Sequence, residues 1–238
     1  MSVTVGWLDD GECQGAFAES VLGLVTVGVM NGLVKHWIRY ESGPSLGYGR
    51  NEFTEQFLKT TNDEWVLMID SDMIFKADLL EKLLAIADPD TRPVVGPVCY
   101  AMNGKVGVFP AVFSLVENRF KYMLNIPENE LFQVDAAGAA CWLIHRSVFR
   151  RIELACERKG VPGRWWDLLF LGPQPCGEDM SFSMRCRAAD VPLYVHSGIE
   201  IGHLRVKLSL DRKTWEHQKQ EVVEAVIVEE EARAHSAA

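Results

Sequence analysis

The first hundred residues alternate between short β-rich runs and helical patterns, and this alternation limits the folds open to the chain. The runs SVTVGWL, VKHWIRY, EWVLMID and PVVGPVCY predict strands, and residues 13–29, 51–63 and 77–87 between them predict helices. Strand and helix in alternation imply parallel strands joined by right-handed crossovers. We therefore expect an α/β fold.

The pattern changes after Tyr100. The glycine-punctuated segments VGVFPAVFSLV, RFKYML and LFQVDAAGAACWLI predict hairpins more than crossovers. A helix is expected over residues 146–159, then a loop over 161–179, a helix over 179–190 and one strand over 192–204. From about Thr214 we expect an acidic helix or tail that packs across the body of the fold.

Composition excludes several classes of protein. The chain has 238 residues, of which 48% are hydrophobic, so it can bury a substantial core. Its formal charge of −9 argues against nucleic acid polymers and anionic lipid surfaces as partners. Its six cysteines form no C-x-x-C pair, which argues against a zinc ribbon. We expect no membrane span, because the apolar run 21–30 is about half the roughly 20 residues required, and with no leader pattern we expect a cytoplasmic protein.

The stretch EWVLMIDSDMIF, residues 64–75, is an apolar run that ends in the triplet Asp70-Ser71-Asp72. Acids there cap the following helix or hold a metal ion. Asp78 is better placed for capping, and the carboxyl ends of parallel strands are where such sheets bind ligands. A second triplet, Asp88 to Asp90, lies in a proline turn and predicts turn chemistry only. We expect a divalent metal at Asp70 and Asp72.

Two further features bear on chemistry. Glu178 and Asp179 begin a helix behind a loop of glycine and proline, where acids also occur simply because they suit a helix start. A carboxylate there that faces a pocket could deprotonate an acceptor hydroxyl. His203, in IEIGHLRV, is either a surface or core residue or a metal ligand. As a ligand beside the D-x-D triplet, its imidazole would favour Mn²⁺ over Mg²⁺.

These motifs in this order resemble the metal-dependent GT-A glycosyltransferases, whose members share a D-x-D, a glycine-containing loop, an E-D pair and a C-terminal histidine. Here they correspond to Asp70–Asp72, the loop around Gly138, Glu178-Asp179 and His203. The dipeptide Arg50-Asn51 is similar to the basic segment upstream of the D-x-D in the large family that contains the cellulose and chitin synthases. The small size looks more like compact bacterial or bacteriophage glycosyltransferases. The resemblance covers roughly residues 3 to 205.

The resemblance implies a Rossmann-like GT-A fold with a mixed, mostly parallel sheet, and transfer of a sugar from a nucleotide-diphosphate donor of the UDP or GDP type. Asp72 and His203 would hold Mn²⁺ or Mg²⁺, and Asp179, beside Glu178, would be the base of an inverting reaction. Asp70 would bind the metal or the ribose. The remaining donor contacts would come from Trp7, Glu41, Arg50 and Ser71.

The first strand departs from that family's pattern, because it ends GWLDDGE and not in a proline with tyrosine or asparagine. On the acceptor side, Trp165 and Trp166 could stack on a sugar or anchor the core. Asp135 would bind donor hydroxyls or serve as a turn residue, and Gly138 would lie in the substrate loop. The acceptor would be a glycan, a protein or a small molecule.

We expect one catalytic domain over residues 1–213, with a nucleotide-binding half at about 1–100 and an acceptor half at about 101–213. Residues 214–238 would form the C-terminal helix or tail.

Two other enzyme classes share part of this pattern. A phosphatase of the haloacid dehalogenase type would use Asp70 as nucleophile, but it normally carries its D-x-D on the first strand. A nucleotidyltransferase would need basic residues near its amino terminus, and none precedes Lys35. A non-catalytic carbohydrate-binding protein would leave the ordered acidic motifs unexplained.

Overall fold

The computed structural model describes residues 1–103, 107–171, 174–205 and 208–236. Within these ranges the helices are α1 (Gly15–Met30), α2 (Leu46–Thr60), α3 (Leu79–Ile86), α4 (Ser147–Lys159), α5 (Glu178–Ala188) and α6 (Arg212–Ser236). The strands are β1 (Val3–Asp9), β2 (Val34–Glu41), β3 (Trp65–Asp70), β4 (Met73–Phe75), β5 (Val94–Pro97), β6 (Tyr100–Asn103), β7 (Gly107–Pro110), β8 (Val112–Val116), β9 (Arg119–Tyr122), β10 (Leu131–Val134), β11 (Ala136–Ala137), β12 (Cys141–His145), β13 (Phe170–Leu171), β14 (Gln174–Pro175), β15 (Leu193–His196), β16 (Ile201–Arg205) and β17 (Leu208–Leu210).

The central sheet has seven strands in the order β10-β15-β5-β12-β3-β1-β2. Strands β1, β2, β3, β5 and β15 run in one direction, and β12 and β10 run against them. The mixed, mostly parallel sheet and the predicted α/β class are therefore confirmed. Because the five parallel strands share a direction, their carboxyl ends meet at one edge of the sheet, which includes the end of β3.

Helices cover both faces of the sheet. Residues of α1 and α3, among them Phe17 and Leu83, pack on one face, and Phe53, Phe57 and Phe149 from α2 and α4 pack on the other. Strand β3 carries only buried residues before Asp70, as expected for a strand covered on both sides. Gly6 lets α2 come close, since a Cβ on this residue would lie 2.1 Å from the Phe53 ring.

The second half contains the predicted hairpins β6–β7 and β8–β9. The single strand predicted over residues 192–204 is wrong, because a turn in which the Gly198 amide donates to His196 Nδ1 at 3.0 Å divides it. Strand β15 joins the central sheet, whereas β16 pairs antiparallel with the three-residue strand β4. This second pairing places His203 opposite Met73, next to the D-x-D triplet.

Helix α6 packs on the β6–β7 hairpin. Its side chains Trp215, Val222 and Val226 are buried, and Gln218 accepts a hydrogen bond from the Val108 amide at 3.3 Å. The segment predicted as a helix or tail from about Thr214 is therefore a helix that begins at Arg212. Among the described helices, none combines the length and the apolar character needed to cross a bilayer.

Candidate active site

The D-x-D triplet lies at the carboxyl edge of the sheet. Asp70 is the last residue of β3, and its amide donates to the Ala140 carbonyl at 2.8 Å. Asp72 precedes β4, and its carbonyl accepts from the Leu204 amide at 2.7 Å. These backbone bonds hold the triplet between the loop before β12 and the strand that carries His203.

Asp72 and His203, which are 131 residues apart in sequence, are in contact. His203 Nε2 lies 2.9 Å from Asp72 Oδ2, and His203 Nδ1 lies 3.0 Å from the Tyr100 carbonyl oxygen. Because a carbonyl only accepts, Nδ1 must donate, which directs Nε2 toward the carboxylate. A histidine held in this way by a backbone carbonyl is the usual arrangement of a metal-binding imidazole. One carboxylate and one imidazole suit Mn²⁺, whose other ligands would be diphosphate oxygens and water.

Asp70 makes a different contact from the one expected of a third metal ligand. Its Oδ1 accepts from Arg50 Nη2 at 2.7 Å. Within the described ranges, no group of three His, Cys, Asp or Glu side chains is arranged to hold a metal ion. Burial raises the pKa of Asp70 above its ordinary value, and Asp72 acts in the same direction, while Arg50 opposes them. The structure therefore brings Asp72 and His203 together as two candidate metal ligands, and Asp70 lies beside them, bonded to Arg50.

Arg50 is buried at 1% exposure beneath the site and not at its surface. Besides Asp70, it donates from Nη1 to the Ala139 carbonyl at 2.9 Å, and its Nε lies 3.8 Å from Glu178 Oε1. This position gives Arg50 protein partners in place of the nucleotide contact that the sequence predicted.

Glu178 and Asp179 occupy the first turn of α5 and point to different neighbours. Asp179 Oδ1 accepts from the Met180 amide at 2.7 Å, while Glu178 lies near Arg50. Burial raises the pKa of Asp179 to about 6, and the adjacent Glu178 contributes in the same direction. A carboxyl group with this pKa is ionised at neutral pH, yet it is basic enough to accept a proton from a hydroxyl.

The loop at residues 138–140 lies between the two acidic motifs. A Cβ on Gly138 would lie 3.1 Å from the Ala111 Cβ, a tight approach, and 4.0 Å from Asp179 Oδ2, so this residue lies close to the acid. At the other end of the loop, the Ala140 carbonyl accepts from the Asp70 amide. The predicted glycine-containing loop is thus bonded to Asp70 at one end and comes near Asp179 at the other.

Trp165 and Trp166 are core residues, so the prediction that they line the acceptor side is wrong. Trp166 stacks on Phe182 with ring centroids 4.0 Å apart, and its Nε1 donates to Thr54 Oγ1 at 3.0 Å. Trp165 Nε1 donates to the Phe149 carbonyl at 3.0 Å. Both side chains are buried among other protein groups, which is the core-anchor alternative.

Asp135 is held by neighbouring groups. Its Oδ2 accepts from the Leu115 amide at 2.7 Å, and its Oδ1 accepts from Arg187 at 2.9 Å. The side chain lines a cavity of about 590 Å³ with Ser183 and Tyr194, which is distinct from the cavity beside the D-x-D triplet. This arrangement matches the turn role that was the alternative for Asp135.

The remaining predicted donor residues lie along the carboxyl edge toward β2. Trp7 packs edge-on against Phe17 with centroids 6.1 Å apart, and Glu41 ends β2 as an exposed residue. Ser71 lines a cavity of about 260 Å³, whose walls are Asp10, Glu12, Cys13, Gln14, Ser71 and Asp72. The structure therefore places Ser71 in a cleft beside Asp72.

Asp9 is a further acid at this edge that the sequence motifs did not predict. It is buried at the end of β1 and accepts from Arg39 Nε and Nη2, both at 2.7 Å, and from the Gly11 amide at 2.9 Å. The hydrogen bond from Arg39 is the largest cause that holds the pKa of Asp9 below its ordinary value, and the Gly11 amide acts in the same direction. The sequence signal that could have found it is its place at the end of the first apolar run, in GWLDDGE.

The fold is the GT-A fold. The family model for glycosyl transferase family 2 matches residues 46–153, which include Arg50, the D-x-D triplet and Gly138. No curated protein matches the sequence significantly. Over the family-model match, which spans less than half of the chain, the sequence is similar to glycosyltransferases, and this similarity favours an enzyme of that class over a phosphatase or a non-catalytic protein.

Solved structures support the fold. The protein A197 from STIV matches with a TM-score of 0.55 at 15% identity, over 90% of this chain and 92% of that one. GalNAc-T7, solved with UDP, GalNAc and Mn²⁺, matches with a TM-score of 0.55 at 15% identity, over 87% of this chain but only 43% of that one. At these identities the likeness concerns the fold alone.

Proposed function

We propose that this enzyme transfers a sugar from a nucleoside diphosphate donor to an acceptor hydroxyl, with Asp179 as the catalytic base. The observation that carries the proposal is the meeting of the two motifs at one edge of the sheet. The Asp72–His203 pair lies at one side and Asp179, with its pKa of about 6, at the other. Arg50 links the two motifs, because its Nη2 donates to Asp70 at 2.7 Å and its Nε lies 3.8 Å from Glu178 Oε1.

Asp72 and His203 would hold the divalent ion, Mn²⁺ in preference to Mg²⁺, because the set includes an imidazole. The bound ion would neutralise charge on the leaving diphosphate. The GalNAc-T7 structure holds UDP and Mn²⁺, which supports a UDP-type donor for the same fold, and a GDP-type donor is the other candidate. Ser71 and the exposed Glu41 at the same edge are proposed to contact the donor, together with Trp7.

The chemistry assigned to Asp179 is a proton transfer. As the acceptor oxygen attacks the anomeric carbon, Asp179 takes the hydroxyl proton, and the bond from that carbon to the diphosphate oxygen breaks. Attack from the side opposite the diphosphate inverts the anomeric configuration. Above a pH of about 6 the carboxylate is ionised and ready to act.

We also propose the division of the chain that the sequence suggests. The D-x-D triplet belongs to a nucleotide-binding half at about 1–100, and Asp179 belongs to an acceptor half at about 101–213. Helix α6 would brace the second half, because its buried face packs on the β6–β7 hairpin.

A thermal-shift panel with UDP, GDP, CDP and dTDP, each with and without Mn²⁺, tests the donor and metal assignment. We expect a rise in Tm for one nucleotide that requires Mn²⁺ and disappears in Asp72→Ala and His203→Ala. The control is Asp90→Ala, an exposed residue of the other acidic triplet, which should keep the full rise. No rise with any nucleotide would contradict the donor assignment, and an unchanged rise in Asp72→Ala would contradict the metal site.

Release of the nucleoside diphosphate from its sugar conjugate measures turnover before the acceptor is known. The nucleotide that raises Tm should be the product released, and Asp179→Asn should retain the metal-dependent rise while losing turnover. This combination separates the proposed base from the proposed metal site. Loss of nucleotide binding in Asp179→Asn would refute the role of Asp179 as a base alone.

A further inference from the structure

The buried Arg50 contacts both acidic motifs of the site. Its Nη2 donates to Asp70 of the D-x-D triplet at 2.7 Å, and its Nε lies 3.8 Å from Glu178 of the E-D pair. A third contact, from Nη1 to the Ala139 carbonyl at 2.9 Å, reaches the loop between them. One planar guanidinium thus joins three segments that are far apart in sequence.

Such a contact is costly as a purely structural device. A buried charge loses its hydration, and only well-aligned hydrogen bonds and ion pairs offset that loss. An apolar side chain of similar volume would therefore often stabilise the fold equally well. Here the partnership is incomplete, because Nε has no hydrogen bond within the described part of the chain. The arginine is therefore better explained by what it does to Asp70 and Glu178 than by packing.

The helix that carries Arg50 is itself fixed to the segment that precedes α5. Asn51 Oδ1 accepts from the Trp166 amide at 3.1 Å, and Asn51 Nδ2 donates to Asp167 Oδ1 at 2.6 Å. The Arg50 carbon Cζ lies 5.3 Å from the Trp166 ring centroid. The buried tryptophan, which does not line the acceptor side, thus supports the arginine.

We propose that Arg50 is a positioning residue that sets the distance between the metal side and the base side of the site, by holding Asp70 and Glu178 at once. Asp72 and Asp179 follow these two acids by two residues and one residue, so their places depend on the same anchor. This inference rests on the proposed function for its catalytic meaning. It replaces the predicted contact of Arg50 with the nucleotide.

The proposal also has an electrostatic consequence. The charged groups that act on Asp179 are Glu178, which raises its pKa, and Arg50, which lowers it. Replacing Arg50 by a neutral side chain removes the opposing cation and releases Glu178. The pKa of Asp179 should then rise further.

The test compares Arg50→Met and Arg50→Lys with the wild type. Two readouts are used: the carboxyl ¹³C NMR titration of Asp179 and the pH profile of sugar-nucleotide turnover. In Arg50→Met we expect both the titration and the acid limb to move to higher pH, with kcat reduced about 100-fold through misplacement. Arg50→Lys keeps the charge but cannot reach three partners, so kcat should fall with a smaller change in pKa.

Two further variants keep the test decisive. Arg146→Met is the matched control, because Arg146 also donates to backbone carbonyls, those of Thr61 and Asp63, away from the acidic motifs. It should lower stability without moving the Asp179 titration. The double variant Arg50→Met with Glu178→Gln should return the Asp179 titration toward the wild-type value. In this variant the residue at position 178 is neutral and no longer raises the pKa of Asp179.

The outcomes separate the inference from the proposed function. If the Asp179 titration does not move in Arg50→Met, Arg50 is not a positioning residue. If KM for the donor rises while kcat is unchanged, the positioning role is also overturned, and Arg50 contacts the nucleotide directly. If Arg50→Met does not fold, an unchanged kcat in Arg50→Lys would overturn the positioning role instead. Failure of the wild type to bind or turn over any nucleotide would count against the proposed function, and the NMR titration would still decide the role of Arg50.

Discussion

Replacing Asp179 with asparagine should make the protein more stable at neutral pH while removing its activity. The carboxylate is held in a largely buried position where its charge is disfavoured, and burial raises its pKa to about 6 from an ordinary value of 3.8. Asparagine has the same shape, keeps an oxygen to accept from the Met180 amide, and carries no charge. The substitution therefore removes the ionised group with little change in packing.

The magnitude follows from linkage between protonation and folding. A pKa difference of about 2 units corresponds to at most about 3 kcal/mol, at 1.36 kcal/mol per unit. Because the side chain of Asp179 is partly exposed, we expect about 1–3 kcal/mol. The folded pKa lies above the unfolded one, so the stabilising effect of the protonated form is fully present below pH 4 and is lost as the pH rises through about 6.

Urea denaturation of the wild type and of Asp179→Asn at pH 4, 5, 6, 7 and 8 measures this difference. The variant should gain little at pH 4 and reach its full advantage above about pH 6, equivalent to a Tm about 3–9 °C higher for a chain of this size. Its kcat/KM should fall by about 10²- to 10⁴-fold. The control Glu19→Gln, which changes an exposed carboxylate on α1, should show no such pH-dependent gain.

Three results would contradict these expectations for Asp179. A variant no more stable than the wild type at pH 8 would mean that Asp179 is well solvated or well paired when ionised. Retention of full turnover by a stabilised Asp179→Asn would mean that another group removes the acceptor proton. An acid limb of the wild-type pH profile far from pH 6 would point to the same conclusion.

Three further predictions concern other parts of the fold. Trp166→Ala should lower the free energy of unfolding by about 3–5 kcal/mol, because it leaves a cavity in the core. Urea denaturation measures this loss. A loss of acceptor affinity at unchanged stability would contradict the buried position. Arg39→Met should lower the free energy of unfolding at pH 7, because the buried Asp9 loses its cation and keeps the Gly11 amide. The loss should shrink as the pH falls through the lowered pKa of Asp9. A loss that does not vary with pH would argue against the ion pair. Removal of residues 212–238 should cause aggregation at 25 °C, followed by light scattering, because Trp215 and Val222 then no longer cover the hairpin; a soluble, cooperatively folding truncation would show that α6 is dispensable.

The local pattern was sufficient for the elements of the first half. The apolar run ending at Asp70 is a strand covered on both faces, and the acids at its tip lie where the sheet edge requires them. These features are readable because hydrophobic periodicity and strand ends are local properties. The contact between Asp72 and His203 could not be predicted from local sequence. It depends on the pairing of β16 with β4, and a three-residue strand is too short to show a periodic pattern.

Other features of the site depended on burial, which local sequence does not encode. Tryptophan before an acidic helix start suits a sugar platform and a core anchor equally, and only the stacking of Trp166 on Phe182 decides between them. Arg50 appeared as a basic residue suited to a diphosphate. Its actual partners, Asp70 and Glu178, are brought to it by two other elements, so its role could not be predicted from the segment around it.

The strand order has a consequence for synthesis of the chain. Strand β12 lies between β3 and β5 in the sheet but follows both in sequence by more than forty residues. While the chain emerges from the ribosome, β3 therefore has one open edge along the apolar run Trp65–Asp70 until Cys141–His145 arrive. An unpaired apolar edge is a template for pairing with other chains. The nascent protein must keep this edge covered during elongation, so chaperone binding and translation speed between β5 and β12 should govern its yield.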